Sequence, residues 1–360
     1  MCEHMFVRWE SQSVNADHDP RLPGFSEDVV VRRFNAPEAL DTRFHEIRTK
    51  SAINRVPAAS RVPFEWTVNP YRGCSHACAY CFARPTHEYL EFDAGRDFEK
   101  EIVVKVNVPE VLRKELARPS WKREHVAMGT NTDPYQWVEG RYKLMRGIWE
   151  ALRDFANPCS ILTKSPLLLR DLDLMKQVAE VADLTACLSV PTLDEKAWRA
   201  SEPHTPHPRA RLEAVAKLNA AGIPTGILIA PLMPGINDAP EQIERIVTLA
   251  KEAGAVSIGG QTLFLRGSVR QVFFDWLREH RPDLLPRYEE LYRRGAYLPE
   301  AQRLEIERAA GAPWLASGDR QRWKHRVVER TRRLERERRE RAAEAAARRR
   351  GVSNAQEALF

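Results

Sequence analysis

The chain has 360 residues, which at ~150 per domain allows two domains or one large α/β barrel with extensions at each end. A hydrophobic fraction of 43% excludes disorder of the whole chain, and the longest nearly apolar stretch, 226–233, is far short of the ~20 residues that span a bilayer. The formal charge of +6 is uneven: residues 319–350 hold 14 Lys and Arg against 6 Asp and Glu, a surplus of +8 that leaves −2 for the rest. The first ten residues have no apolar run between a basic start and a small-residue cleavage site, so the expected compartment is the cytoplasm. Of six cysteines, Cys74, Cys78 and Cys81 crowd into eight residues while Cys2, Cys159 and Cys187 are scattered, which is not a disulfide framework.

Residues 1–63 carry Pro20, Pro23, Pro37 and Pro57 and few runs of helical period, so they read as an irregular lead-in wrapped on a core. From about Phe64 short β-branched or aromatic runs alternate with helical patterns. Six strands are predicted, at 65–69, 125–129, 160–163, 185–190, 225–230 and 256–262. Between them, Leu144, Ile148, Leu152 and Phe155 share one face of a predicted helix over 139–155. Pro208 opens a helix that carries Leu212 and Val215 inward and stops at Gly222; Pro240 opens the next, with Ile243, Ile246, Val247 and Ala250 as its stripe and Gly254 as its stop. Six such units favour a partial (β/α)6 barrel of the TIM type over a doubly wound sheet. The barrel is expected over 64–267, followed by a helical extension over 268–318 built on Phe273, Trp276, Leu277, Tyr288, Leu291 and Tyr292. An Arg/Glu-rich tail over 319–360, with many i,i+4 opposite charges and almost no apolar face, reads as a solvated charged helix or a disordered tail.

The chemistry is concentrated in Asn69-Pro70-Tyr71-Arg72-Gly73-Cys74-Ser75-His76-Ala77-Cys78-Ala79-Tyr80-Cys81. A loop this short can turn three thiolates toward one point, as iron–sulfur clusters require, and with no fourth cysteine nearby one iron keeps an open position. The alternative is a structural zinc completed by His76 or His87. Cys159 begins a predicted strand and Cys187 lies within one, where a small buried hydrophobe is the default.

The CxxxCxxC spacing with Tyr80 before the third cysteine resembles the cluster loop of the radical S-adenosylmethionine superfamily. The segments Asn69-Pro70-Tyr71-Arg72-Gly73-Cys74, Gly129-Thr130-Asn131-Thr132-Asp133-Pro134-Tyr135-Gln136, Thr163-Lys164-Ser165 and Gly226-Ile227-Leu228-Ile229-Ala230-Pro231 are similar to the branch related to spore photoproduct lyase, within it most of all to an uncharacterised actinobacterial-type group. The resemblance covers about residues 40–300. It implies a 4Fe-4S cluster on Cys74, Cys78 and Cys81, with S-adenosylmethionine chelating the fourth iron, reductive cleavage to a 5′-deoxyadenosyl radical, and hydrogen abstraction from a substrate the sequence does not identify. It also implies a one-electron donor such as flavodoxin or ferredoxin.

The other matched segments fall at or just past predicted strand ends, which form one mouth of a barrel. Thr130, Asn131, Thr132 and Asp133 can offer acceptors to an ammonium group; Lys164 can neutralise a carboxylate that Ser189 hydrogen-bonds; Ile227, Ile229 and Ala230 can wall an adenine. Tyr80 is the candidate catalytic aromatic. His87 and Glu88 follow the loop, and Arg266 follows the sixth strand, as further candidates.

The chain departs from the lyase pattern at two places. Lyases of that branch carry a cysteine just after the second strand and a tyrosine on each side of the third cluster cysteine. Here the strand end is Ala127-Met128-Gly129-Thr130, and Phe82, which has no hydroxyl, follows Cys81. The expected function is therefore a radical S-adenosylmethionine enzyme of open substrate, with nucleic acid as one candidate; lyase-type lesion repair, and a non-catalytic zinc or iron–sulfur module that binds nucleic acid, are the alternatives. The surplus charge of the tail suits phosphates, although its interleaved glutamates blunt the field.

Overall fold

The computed structural model describes residues 14–18 and 29–313, except 35, 37, 38, 40, 58, 59 and 61, together with seven tail positions between 329 and 343. Its strands in chain order are β1 Val14–His18, β2 Val30–Phe34, β3 Arg43–Ile47, β4 Ile53–Arg55, β5 Trp66–Val68, β6 Tyr71–Arg72, β7 Glu101–Lys105, β8 Val126–Met128, β9 Cys159–Thr163, β10 Leu184–Ser189, β11 Thr225–Leu232, β12 Ile258–Thr262 and β13 Ala312–Pro313.

The larger sheet runs β4-β5-β8-β9-β10-β11-β12-β13, parallel from β5 to β13. All six expected strands are there, in sequence order. A doubly wound sheet reverses its strand order at a switch point; this one never does, so the helices cover one face, as in a TIM-type barrel. The sheet does not close, because β4, antiparallel to β5, and β13 are its edges.

Register decides which side chains those helices cover. Ala186 pairs with Ile161 and Thr225, and Leu188 with Thr163 and Ile227, and parallel partners share a face. Val126, Met128, Cys159, Ile161, Ala186, Leu188, Ile227 and Ile229 accordingly lie in one core with Leu112, Ile148, Leu152, Val178, Val215, Ile243 and Ile246 of the covering helices. The alternate residues, among them Ala127, Leu162, Cys187, Ser189, Leu228 and Ala230, are on the inner face.

The helices follow their sequence signals. Pro208–Ala220 and Pro240–Glu252 begin at their prolines, and Gly222 and Gly254 beyond them take positive φ. The segment expected as one helix over 139–155 is instead two, Glu139–Tyr142 and Leu144–Asp154, because Lys143 between them is left-handed at φ 54°. The apolar stripe is otherwise in place, with Leu144, Ile148 and Leu152 buried and Phe155 packed against the same core.

The N-terminal segment, expected to be irregular, contributes strands. A second sheet, β1-β2-β3-β7-β6, pairs β3 in parallel with β7 from Arg43 with Glu101 to Ile47 with Lys105. Polar residues interrupt Arg-Phe-His-Glu-Ile, so β3 shows no apolar run, and its parallel partner β7 lies over fifty residues away, beyond any local signal. The consequence for the site is direct. The chain leaves the larger sheet at Val68, enters the second at Tyr71 and reaches Cys74 two residues after β6, so the cysteine loop hangs between two sheets.

The helices Ser268–His280 and Leu285–Leu291 complete the enclosure. Phe273, Trp276, Leu277, Tyr288 and Tyr292 share a core with Leu263, Leu265 and Met233, and also with Cys78, Ala79 and Tyr80 of the loop. In the tail, Glu329, Arg332, Arg333, Arg336, Glu337, Glu340 and Ala343 are described as helical; the rest of 314–360 lies outside the described residues.

Candidate active site

The cysteine loop is built around groups that only its own sequence supplies. Gly73 turns the chain at φ +75°, where a Cβ would stand 2.8 Å from the Phe98 carbonyl oxygen and 2.9 Å from the His87 ring, so no other residue fits. The Cys74 N–H donates to Phe98 O at 2.9 Å. Gln136, buried, clamps the next residues from across the strand ends: Ser75 N–H donates to its Oε1 at 3.0 Å, and its Nε2 donates to Gly73 O at 3.1 Å. Arg84, buried and stacked over Phe98, donates to the carbonyls of Ala77, Cys78, Ala94 and Gly95 and pairs with Glu99 at 3.2 Å. The loop thus has a fixed shape from protein hydrogen bonds alone.

Within it the three thiols are free of disulfides, and Cys74 interacts electrostatically with both Cys78 and Cys81. Burial pushes all three thiols up, Cys78 to about 12 with help from the nearby Glu202 carboxylate. A metal centre reverses that preference, because bound thiolates are held deprotonated. Soft donors gathered on one rigid loop, with the Ser75 hydroxyl buried beside them without a hydrogen-bond partner, fit an iron–sulfur cluster. They do not make a mononuclear zinc site. Among the described residues no three His, Cys, Asp or Glu side chains are arranged to hold a single metal ion. The histidines considered as a fourth zinc ligand are engaged elsewhere, since His87 Nε2–H donates to Glu101 O at 2.8 Å and His76 Nδ1 lies 3.4 Å from Asp133.

Next to the loop is a charged network that links it to the strand ends. Tyr80, from the loop, donates its hydroxyl to Glu202 Oε1. Lys164, just past β9, lies 5.7 Å from the Tyr80 ring centroid, donates to Ser189 Oγ at 3.0 Å, and has its ammonium 3.5 Å from Glu202 Oε1. Ser189 in turn donates to Ala230 O at 3.1 Å. The other carboxylate oxygen of Glu202 takes Arg211 Nη2 at 2.6 Å, with both side chains fully buried. Burial alone would raise the Glu202 carboxyl, but Arg211 and Lys164 pull it down to about 2. Burial likewise works against the Lys164 ammonium, and Glu202, Cys78 and Asp133 together more than offset it.

Tyr80, Lys164, Ser189 and Ala230, expected from separate segments, therefore meet at one place. Others of the expected set face elsewhere. Thr132 turns inward and donates to Tyr71 O at 3.0 Å. Asp133 is a tie: its oxygens accept from Thr163 Oγ1 at 2.6 Å, Lys164 N–H at 2.7 Å and Tyr135 N–H at 2.9 Å, and against the upward push of burial these contacts and His76 hold it near 2. Thr130 and Asn131 remain half-buried at the strand end. Ile227 and Ile229 are sealed in the helix-facing core, because side chains alternate along β11; the inner face of that strand belongs to Leu228 and Ala230. Glu88 and Arg266 are exposed, and His87 packs between Phe92 and Phe98. Cys159 is in the core, whereas Cys187 is on the inner face near Lys164. At the second strand end Gly129 takes φ +75°, and a Cβ there would lie 1.8 Å from Leu162 O.

Glu202, Arg211 and Arg84 escaped the sequence reading. Arg84 lies three residues past Cys81, where nothing separates it from its neighbours; Arg211 lies on the buried face of the helix Pro208–Ala220, but nothing in the sequence marks Glu202, nine residues earlier across Pro206 and Pro208, as its partner.

A parallel sheet wound in sequence order, with a three-thiol loop after its first parallel strand and a lysine–serine pair at the ends of its third and fourth, is a partial TIM-type barrel with these polar groups gathered at its strand ends. The model of the Radical SAM superfamily matches residues 68–250, and the chain belongs to that superfamily. It is 47% identical over 314 residues to an uncharacterized protein of Mycobacterium tuberculosis, covering 86% of this chain and 92% of that one. It is 29% identical over 195 residues to an uncharacterized protein of Methanocaldococcus jannaschii, covering 54% and 69%. A solved mutant of spore photoproduct lyase has a similar fold, with a TM-score of 0.52 at 17% identity over 74% of this chain and 76% of that one. The superfamily uses a 4Fe-4S cluster and S-adenosylmethionine.

Proposed function

We propose that this chain holds its cluster on Cys74, Cys78 and Cys81, takes S-adenosylmethionine at the adjoining strand ends, and abstracts hydrogen from a substrate entering at the same mouth. The observation that carries the reading is the meeting of Lys164 and Ser189, 3.0 Å apart, beside the Tyr80 ring of the cysteine loop. When bound, the cluster supplies the electron that breaks a sulfonium C–S bond.

The protein's own groups bind and orient. Lys164 is a cation with three donors, of which Ser189 takes one; a cofactor carboxylate would accept another, with the Ser189 hydroxyl alongside it. Thr130 and Asn131 offer oxygens at the neighbouring strand end for an ammonium group. Tyr80 has its hydroxyl on Glu202, which fixes its ring beside Lys164 as an aromatic wall of the site. Adenine would rest on the inner face of β11 at Ala230 and Leu228 instead of on Ile227 and Ile229. Ala127, Cys187, Ser189 and Ala230 give that face small side chains, which a substrate entering there would meet.

Two partners belong to this reading: a one-electron donor of the flavodoxin or ferredoxin class, and nucleic acid held through the tail, whose 14 basic against 6 acidic residues suit a phosphate backbone. Removal of everything after Gly318 should reduce retention on DNA at low salt; unchanged retention would remove the tail from the account.

The central test is anaerobic reconstitution with dithionite and S-adenosylmethionine, followed by chromatography for 5′-deoxyadenosine. Cys74→Ala, Cys78→Ala and Cys81→Ala should each abolish the product, and Cys159→Ala should leave it. Product from all four variants, or from none with the wild type inactive as well, would overturn the proposal.

A further inference from the structure

We infer that Arg211 is a positioning residue for the cofactor: by occupying Glu202 it leaves the Lys164 ammonium free to receive an anionic group. The inference rests on the reading of Lys164 as the group that meets the cofactor carboxylate.

Three charges share one small volume. The Glu202 carboxylate is nearer to Arg211, at 2.6 Å, than to Lys164, at 3.5 Å. Arg211 cannot swing away, because its remaining donors are fixed on Pro206 O at 2.9 Å, Ser189 O at 2.9 Å and Thr205 Oγ1 at 2.7 Å. Thr205 is itself held by Trp198 Nε1 at 2.8 Å. Glu202 is held in turn, since its Oε1 accepts the Tyr80 hydroxyl. The buried acid and base therefore satisfy one another, and the surplus positive charge is left on Lys164, which alone of the three has solvent access, at 17% of its side chain. Asp133, the other carboxylate near Lys164, directs its oxygens to the Thr163 hydroxyl and the Lys164 main chain.

Without Arg211 the balance changes. A buried carboxylate with no counter-charge is costly, and among the described residues Lys164 is the other cation in ion-pair contact with Glu202. The two, already in ion-pair contact at 3.5 Å, would close to direct hydrogen-bond distance, and a ligand carboxylate would then have to compete with Glu202 for the same ammonium. Glu202 is thus harmless to binding only while Arg211 holds it.

The test measures binding of S-adenosylmethionine to cluster-loaded protein by equilibrium dialysis without reductant, so that turnover plays no part. Lys164→Met should weaken binding at least tenfold. Arg211→Met should weaken it by about tenfold, and Glu202→Gln with Arg211→Met should recover binding to within about threefold of wild type, since no charge then competes for Lys164. Decarboxylated S-adenosylmethionine, which has no carboxylate to lose, should bind wild type and Arg211→Met alike. Iron content and circular dichroism accompany each variant. Should Arg211→Met fail to fold, Glu202→Gln alone decides: it should bind as tightly as wild type or more tightly. A double variant as weak as Arg211→Met, or equal losses for both ligands, would make Arg211 a purely structural brace and overturn the inference. Unchanged binding in Lys164→Met would instead overturn the underlying reading of Lys164, a result distinguishable from the first.

Discussion

Arg84 and Cys78 are joined through the main chain: the guanidinium donates to the Cys78 carbonyl from Nε at 3.1 Å and from Nη2 at 3.0 Å. The same side chain reaches Ala94 and Gly95, so one residue ties the cysteine loop to the turn ahead of β7. Arg84→Gln removes most of these donors from buried carbonyls, at roughly 1–3 kcal/mol for each group left unmet. The expected result is a large fall in iron bound after reconstitution, read as iron per chain. Full loading with an unchanged visible spectrum would show that the loop keeps its shape without Arg84.

Gly73 and Gly222 both take positive φ but differ in their surroundings. A Cβ at Gly73 meets Phe98 O at 2.8 Å and Glu101 O at 3.0 Å, whereas one at Gly222 has nothing within 4 Å. Gly222→Ala should cost only the backbone strain of a left-handed residue, about 1–2 kcal/mol, and retain iron. Gly73→Ala should displace Cys74 and lose it. Equal iron contents in the two variants would contradict the close approach at Gly73.

Lys105 is a buried cation whose amine donates to Asn69 O at 2.9 Å, and burial together with the neighbouring Arg72 lowers it to about 8. Its folded value is below the ordinary 10.5, so the unfolded chain binds the proton more tightly and stability rises as pH climbs from about 8 toward 10.5. At neutral pH the full penalty, roughly 3 kcal/mol, is present. Lys105→Met should raise the urea midpoint at pH 7 and flatten the rise at alkaline pH. A lower midpoint would mean that the bond to Asn69 outweighs the burial of charge.

The acid limb has the opposite sign. Arg211 and Lys164 hold Glu202 near 2, and His76, Thr163 and the Lys164 N–H hold Asp133 near 2, in each case against burial. Both are below the ordinary carboxylate range, so their stabilisation is complete above about pH 4.5 and is lost as pH falls toward 2. Urea midpoints of Asp133→Asn across pH 2 to 6 should show a shallower acid slope than wild type, with lower stability at pH 6. An unaltered slope would show that Asp133 has no such linkage.

Much of the fold is legible in the sequence because the apolar signal is local. The runs that form β8 to β11 are short, β-branched and bounded by turn residues, and prolines and glycines punctuate the helices Pro208–Ala220 and Pro240–Glu252. The second sheet is not legible, since β3 and β7 gain their partners from one another at long range. In the site, Lys164 and Ser189 are visible because they end strands. Ile227 and Ile229 mislead because an apolar strand carries no mark of which alternate residues face the helices and which face inward. Thr132 and Asp133 have the chemistry of ligands, yet Thr132 gives its hydroxyl hydrogen to the Tyr71 carbonyl and Asp133 turns its oxygens to the protein's own hydrogen-bond donors. Glu202 and Arg211 are identified only by each other.

The clamps on the cysteine loop also set an order of events. Gln136 from one strand end and Arg84 from the following turn hold the loop by bonds between protein groups, so its form does not depend on the inorganic cargo it receives. A zinc finger acquires its shape with its ion. The same clamps lead to the expectation that the loop of this chain is already shaped before a cluster arrives, so that apoprotein and loaded protein should differ little there.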